Sequence, residues 1–66
     1  MAIVRIKEII GVSPHSFDDA LKQAIERITQ KEGVTGVKII NWSLDIKEGR
    51  VVAYKVNLKY AYTKEE

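Results

Sequence analysis

The sequence predicts an α+β domain in which one helix covers one side of a three-stranded antiparallel sheet. Two observations lead to this fold class. Residues 17–30 repeat apolar side chains at steps of three and four, which is typical of a helix with one buried stripe. Three other stretches are rich in β-branched and aromatic residues that alternate with polar ones, which is typical of strands. The predicted order of elements is β-α-β-β.

The first predicted strand covers residues 2–10, where apolar and polar side chains alternate in part. One side of this strand carries Val4, Ile6 and Ile10, and the other side carries Arg5, Lys7 and Ile9. Gly11 follows the run, and we expect it to end the strand.

The predicted helix begins after Ser16, whose hydroxyl can accept a hydrogen bond from a backbone N–H of the first turn. Asp18 and Asp19 follow at once, where acidic side chains favour the positive end of the helix dipole. Gly33 is the expected C-terminal cap in a left-handed conformation. The buried stripe is predicted to consist of Phe17, Ala20, Leu21, Ala24, Ile25 and Ile28.

The second predicted strand, residues 34–46, changes its apolar parity midway. Val37 and Ile39 share one parity, whereas the other parity is shared by Ile40, Trp42, Leu44 and Ile46. Either a bulge rotates the strand, or both of its faces are covered.

A hairpin turn at residues 47–50 is predicted next, with Gly49 at the position that favours a positive φ. The third strand then alternates clearly. Its two sides carry Tyr54, Tyr60 and Tyr62 on one face and Lys55, Asn57 and Lys59 on the other.

A single helix stripe can cover only one side of this sheet. The other side is expected to carry either Ile40, Trp42 and Leu44 or the three tyrosines, depending on where the parity changes. A chain of 66 residues buries only about 60% of the surface that its unfolded form exposes, so we expect a small free energy of unfolding for the single chain. We therefore expect other copies of the chain to cover the second apolar side.

The composition limits the classes of function. The 11 basic and 9 acidic side chains are interspersed, so nucleic acid is not an expected partner. The chain has no cysteine and one histidine, His15, so neither disulfides nor a zinc site is expected. It has no apolar run that would cross a membrane and opens without a signal-peptide pattern, so a cytoplasmic protein is the default expectation. Residues 1–66 are expected to form one domain.

No group of residues predicts catalysis. Ser13 and Ser16 lie near His15 in the sequence, but Ser16 is needed as the helix cap and no carboxylate is placed to orient the imidazole. Asp18 and Asp19 are explained by the helix dipole, although symmetry could gather copies of one carboxylate around an ion. We therefore expect neither enzyme activity nor a metal site within one chain.

The stretch "GVSPHSFDDALKQAIERI", residues 11–28, resembles the turn and helix signature of the dodecin family. The matching residues are Gly11, Ser13, Ser16, Phe17, Ala20, Ala24 and Arg27. The later stretch "IKEGRVVAYKVNLKYAY" is similar to the closing hairpin of that family. The resemblance implies a sheet that wraps partly around the helix and twelve protomers that close into a hollow shell. It also implies that riboflavin, FMN or FAD is bound and stored without turnover.

The resemblance places the family's ligand contacts at two positions of this chain. A tryptophan that stacks on the flavin ring falls on Gly36, and a glutamine that contacts the polar edge of the ring falls on Lys55. Glycine has no aromatic face, and lysine lacks the paired donor and acceptor of a carboxamide. Trp42 is a further candidate, which either packs in the core or an interface or stacks on a ligand.

Two functions follow as hypotheses. The chain is a non-enzymatic flavin-type binding and storage protein that forms a homododecameric shell, or it is a flavin-independent structural or metal-ion-binding shell. In both, its main partner is itself. An interaction module that binds another protein through a strand edge is a third possibility, and it predicts a monomer or dimer.

Overall fold

The computed structural model describes residues 2–65 and confirms the order β-α-β-β. Strand β1 covers Ala2–Ser13, helix α1 covers Phe17–Lys31, strand β2 covers Gly33–Lys47 and strand β3 covers Arg50–Glu65. β3 is the central strand of the sheet, with β1 on one side of it and β2 on the other, and both pairings are antiparallel. In the described range, no helix is long and apolar enough to cross a membrane.

The core lies between α1 and one side of β3. Val56 and Leu58 are fully buried there. The rest of the buried apolar set consists of Tyr60 and the helix residues Ala20, Ala24 and Ile28. Because successive side chains of a strand point to opposite sides, the sheet has one face against the helix and one face away from it. We name these the helix-facing side and the open face.

β1 does not end at Gly11, so that expectation is wrong. The strand continues to Ser13, which pairs with Tyr54 of β3. Gly11 is buried beside the helix, where a Cβ atom would lie 2.7 Å from the carbonyl oxygen of Ala20 and 2.9 Å from the Cβ of Ala24. The glycine is required because the strand backbone and the helix approach each other closely at this point.

The turn between β1 and α1 is held by hydrogen bonds that converge on one carboxylate. The Ser16 hydroxyl accepts from the Asp19 N–H at 3.0 Å, which confirms the predicted N-cap. The buried Ser13 hydroxyl donates to the Asp19 carboxylate at 2.5 Å and accepts from the His15 N–H at 3.0 Å. Gln23 donates to the same carboxylate at 2.7 Å. Asp19 therefore ties the last residue of β1 to the first turns of the helix.

The expected helix cap at Gly33 is wrong. α1 ends at Lys31, and Glu32 caps it in an extended conformation with its N–H donating to the Ile28 carbonyl at 3.1 Å. Gly33 already belongs to β2. The chain thus passes from helix to strand without a left-handed residue, and the Glu32 carboxylate meets the Lys7 ammonium at 2.8 Å.

A bulge causes the parity change in β2, which confirms the first of the two predicted alternatives. The register with β3 shifts at three places, and the middle shift follows Ile39. It places Trp42 opposite Val56 and Leu44 opposite Tyr54, on the helix-facing side. One extra residue therefore keeps the apolar side chains of both halves of β2 on the same side of the sheet.

The apolar side chains left on the open face come from β1, which neither predicted alternative foresaw. The tyrosines of β3 face the helix because they share the parity of Val56 and Leu58. The bulge turns the apolar residues of β2 toward the helix as well, apart from Ile40 at the bulge itself. The open face instead carries four β1 residues that are 50% to 69% exposed, namely Val4, Ile6, Ile10 and Val12. The polar row of β3 lies on this face, as predicted.

The turn between β2 and β3 has two residues with positive φ, Glu48 at 53° and Gly49 at 75°. This is the geometry of a type I′ hairpin and confirms the expected role of Gly49. Since β1 ends opposite Tyr54, the tip of the hairpin extends past the end of β1. Ile46 in this tip is 66% exposed.

Replacing Gly11 by alanine should destabilise the fold, because the new methyl group would clash with the helix backbone at Ala20. Overpacking of this kind costs about 1 to 3 kcal/mol. Thermal unfolding at one fixed protein concentration should give a lower Tm for Gly11→Ala than for the wild type. Gly36→Ala is the matched control, since a Cβ there meets nothing within 4 Å. Equal Tm values for the two variants would contradict the close approach.

Stability should fall as the solution is acidified. The hydrogen bond from Ser13 lowers the pKa of Asp19, and the hydrogen bond from Lys7 lowers the pKa of Glu32. Each folded-state pKa lies below its unfolded value, so the stabilisation is present above about pH 5 and is lost as the pH falls through the folded-state values. Tm measured from pH 7 to pH 2 should drop less steeply for Asp19→Asn than for the control Asp18→Asn. Parallel curves for the two variants would exclude this role of Asp19.

Candidate functional site

The open face presents rows of three side chains, one from each strand in the order β1, β3, β2. Residues that pair directly across antiparallel strands share a face, and rows on one face are about 7 Å apart. The four central rows are Ile6, Ala61 and Gly36; Glu8, Lys59 and Lys38; Ile10, Asn57 and Asn41; and Val12, Lys55 and Ser43. The row that contains Gly36 is therefore entirely apolar, whereas the other three rows carry charged or polar side chains on β3 and β2.

Gly36 lies on the open face, at the apolar end of these rows. It borders a depression of about 420 Å³ together with Ile6 and Ala61, and the rim of this depression includes Lys38 and Lys59. A Cβ at Gly36 would meet nothing within 4 Å. Gly36 and Ala61 have little or no side chain, so the depression is shallowly lined at this point. Tyr60 also borders the depression, but its ring packs in the core on the helix-facing side.

Lys55 shares the open face with Gly36 but lies far from it. Gly36 pairs with Ala61, and six residues of β3 separate Ala61 from Lys55, which corresponds to about 20 Å. The Lys55 ammonium lies 2.9 Å from the Asp45 carboxylate, in an ion pair that is well exposed to solvent. A single chain therefore does not bring the two predicted contact positions together.

Trp42 lies on the helix-facing side, so it does not share a face with Gly36. Their common parity in the sequence is cancelled by the bulge after Ile39. The Trp42 ring packs edge to face against Phe17, with the ring centroids 5.2 Å apart, and Phe17 makes the same contact with Tyr54. Trp42 remains 47% exposed, so it borders the core and still offers surface to another molecule.

The model of the dodecin family matches residues 3–65. This chain belongs to the dodecin family. Dodecins are non-enzymatic, flavin-binding proteins that assemble into homo-oligomeric shells. The dodecin membership confirms the resemblance that the turn and helix signature indicated.

Solved dodecin structures share the fold over almost the whole chain. Dodecin from Streptomyces coelicolor is similar with a TM-score of 0.89 and 27% identity, covering 98% of this chain and 94% of that one. Dodecin from Streptomyces davaonensis has a TM-score of 0.88 and 21% identity, covering 98% and 97%. The calcium dodecin of Mycobacterium tuberculosis, described as having a novel calcium-binding site, has a TM-score of 0.83 and 20% identity, covering 96% and 91%. Comparison with curated proteins gives no match.

Asn57, a member of the predicted polar row of β3, is a candidate contact of this dodecin that the family resemblance does not assign. It lies at the centre of the open face, between Ile10 of β1 and Asn41 of β2. Its Oδ1 atom is buried and accepts no hydrogen bond from the described residues. A buried acceptor without a donor is costly, so a donor from a ligand or from a second copy would stabilise it. The sequence signal for Asn57 is a carboxamide side chain two residues after Lys55, on the same face of β3.

Ser13 and Asp19, two of the groups considered for catalysis and metal binding, have structural roles. The Ser13 hydroxyl is buried and engaged with Asp19 and the His15 N–H, so it is not available as a nucleophile. Asp19 is likewise engaged by Ser13 and Gln23. Over residues 2–65, no group of three or more side chains is arranged to hold a metal ion.

Proposed function

We propose that this chain forms a hollow cytoplasmic shell of twelve copies that binds and stores flavin-type ligands without turning them over. The observation that carries the proposal is the depression bordered by Gly36, Ala61 and Ile6. It lies on a sheet face that no described element of the chain covers, in a member of a flavin-binding family.

The exposed aliphatic residues support assembly. Ile6 on the open face is 69% exposed, and Ile46 in the hairpin tip is 66% exposed. Burial of apolar surface contributes about 25 cal/mol per Å², so contacts between copies would stabilise a chain whose own core is small. A closed shell covers such surfaces without leaving an open end on which further copies could add.

The depression suits a flat ring held by apolar and backbone contacts. Ile6 and Ala61 supply aliphatic carbon, and Gly36 allows the ring to approach the backbone of β2. Loss of the stacking tryptophan removes about 1 kcal/mol, so binding should be weaker than in a dodecin that has this ring.

A shell that does not bind flavin is the second candidate. By the family resemblance, Gly36 and Lys55 stand at the positions of the two residues that hold the ring, and neither side chain can do so in the same way, which favours this alternative. A calcium dodecin with the same fold shows that an ion can be the ligand of this architecture. Carboxylates from several copies would have to meet at a symmetry axis, because one chain has no suitable cluster among its described residues.

The purified protein distinguishes the two candidates. Light scattering gives the mass of the intact particle, and an absorbance scan of the same peak detects bound flavin. A particle of about twelve chains that quenches the fluorescence of added riboflavin supports flavin storage. A particle of the same mass that does not quench it leaves the second candidate, and a monomer contradicts both.

Replacing Ile46 by glutamate should reduce the mass of the particle. Ile46 is exposed in the single chain, so a charge there should leave the protomer folded but should be costly in a contact between copies. Light scattering should show smaller species, and circular dichroism should show unchanged secondary structure. Lys22→Glu on the exposed helix surface is the control. A full-size particle for Ile46→Glu would remove the hairpin tip from the interfaces.

Replacing Gly36 by tryptophan should strengthen flavin binding. The open space above Gly36 can hold the ring, and stacking should lower the Kd by about fivefold or more. Riboflavin fluorescence quenching measures the change. Ser43→Trp places the same ring on the same face of β2, about 20 Å away, and should not strengthen binding. Unchanged or weaker affinity for Gly36→Trp would show that the ligand does not lie over this position.

A further inference from the structure

Lys38 and Lys59 face each other directly across β2 and β3 on the open face. Both side chains are exposed, and like charges in directly opposed positions destabilise a sheet. Two other lysines of the sheet are neutralised, since Lys7 lies 2.8 Å from a carboxylate and Lys55 lies 2.9 Å from one. Lys38 and Lys59 have no such ion pair with any residue in the described range. Their positive charges are therefore unbalanced in the single chain.

The third member of the row, Glu8, does not neutralise the pair. It lies opposite Lys59 on β1, but its carboxylate forms no ion pair with that lysine. The row contains two ammonium groups and one carboxylate, so its net charge is positive. It adjoins the row of Ile6, Ala61 and Gly36, and both lysines belong to the rim of the depression there.

We propose that Lys38 and Lys59 together bind the phosphate group of a phosphorylated ligand whose ring lies in the depression. The proposal rests on ligand binding at this depression, as proposed above, and adds the two residues that would hold a phosphate group of the ligand. A phosphate monoester carries nearly two negative charges at pH 7 and several acceptor oxygens, so it can take charge-assisted hydrogen bonds from both lysines. The anion would also remove the repulsion between the two ammonium groups.

The spacing of the rows on the open face fits a ring in the depression and a phosphate group at the lysine pair. The lysine row lies about 7 Å from the row of Gly36, so the ammonium groups lie beside a ring in the depression. The side chains are exposed, so the attraction of a single pair is modest and is screened by salt. In a closed particle, lysine pairs from several copies would add their fields and concentrate anions at this surface.

The test compares FMN with riboflavin, which differ by one phosphate group, on the intact wild-type particle. At low ionic strength FMN should bind about tenfold more tightly than riboflavin, and inorganic phosphate should compete with FMN only. Lys38→Gln and Lys59→Gln should each weaken FMN binding about fivefold, which is a larger loss than either substitution causes for riboflavin. Lys22→Gln removes the same charge from the helix surface and should change neither. Glu8→Gln should act in the opposite direction and tighten FMN binding.

The outcomes separate this site from the proposed function. If FMN and riboflavin bind equally well in the wild type and in both lysine variants, the phosphate site is overturned and flavin storage stands. If neither flavin binds, the phosphate site is tested by the width of the ³¹P resonance of inorganic phosphate in the presence of the particle. Broadening that disappears in Lys38→Gln and Lys59→Gln supports the anion site without flavin storage, whereas no broadening in the wild type overturns both.

Discussion

The packing of one helix against one side of β3 is the constraint on which the rest of the structure depends. Ala20 and Ala24 have small side chains, and Gly11 has none, so helix and sheet approach closely and form a thin core. A second helix is absent from the described chain, so the opposite side of the sheet is left without cover. The ligand surface and the surfaces for assembly both result from this asymmetry.

Local chemistry was enough to predict the elements of the fold from the sequence. The alternation in β3, the spacing of the helix stripe, the Ser16 cap and the Gly49 turn each depend on neighbours within a few residues. The predictions for Gly11 and Gly33 failed because a glycine can end a strand or cap a helix, but it can also lie within a strand. Gly11 is needed for the close approach of Ala20 and Ala24, nine and thirteen residues further along the chain, and Gly33 lies at the start of a strand. The contact of Gly11 with the helix leaves no pattern in the neighbouring sequence.

The family resemblance assigned Gly36 and Lys55 as candidate contacts, and the register of the sheet places both residues on the open face. Their separation along β3 and the Lys55–Asp45 ion pair follow from strand pairing, which the sequence does not specify. The bulge after Ile39 has the largest effect, because one extra residue moves Trp42 to the side opposite Gly36. The alternatives for Trp42 could be stated from the sequence, whereas the side of the sheet on which it lies follows from the strand register.

The central position of β3 in the sheet affects when the chain can fold during translation on the ribosome. β1 is made first, yet the strand that it pairs with is the last of the three to be synthesised. During translation, β1 and the apolar stripe of α1 are therefore made before the strand on which they pack. The loop that must close between paired residues such as Ile3 and Lys64 contains most of the chain. Contacts this distant slow folding, so the nascent chain should stay open until β3 emerges and the three strands can form together.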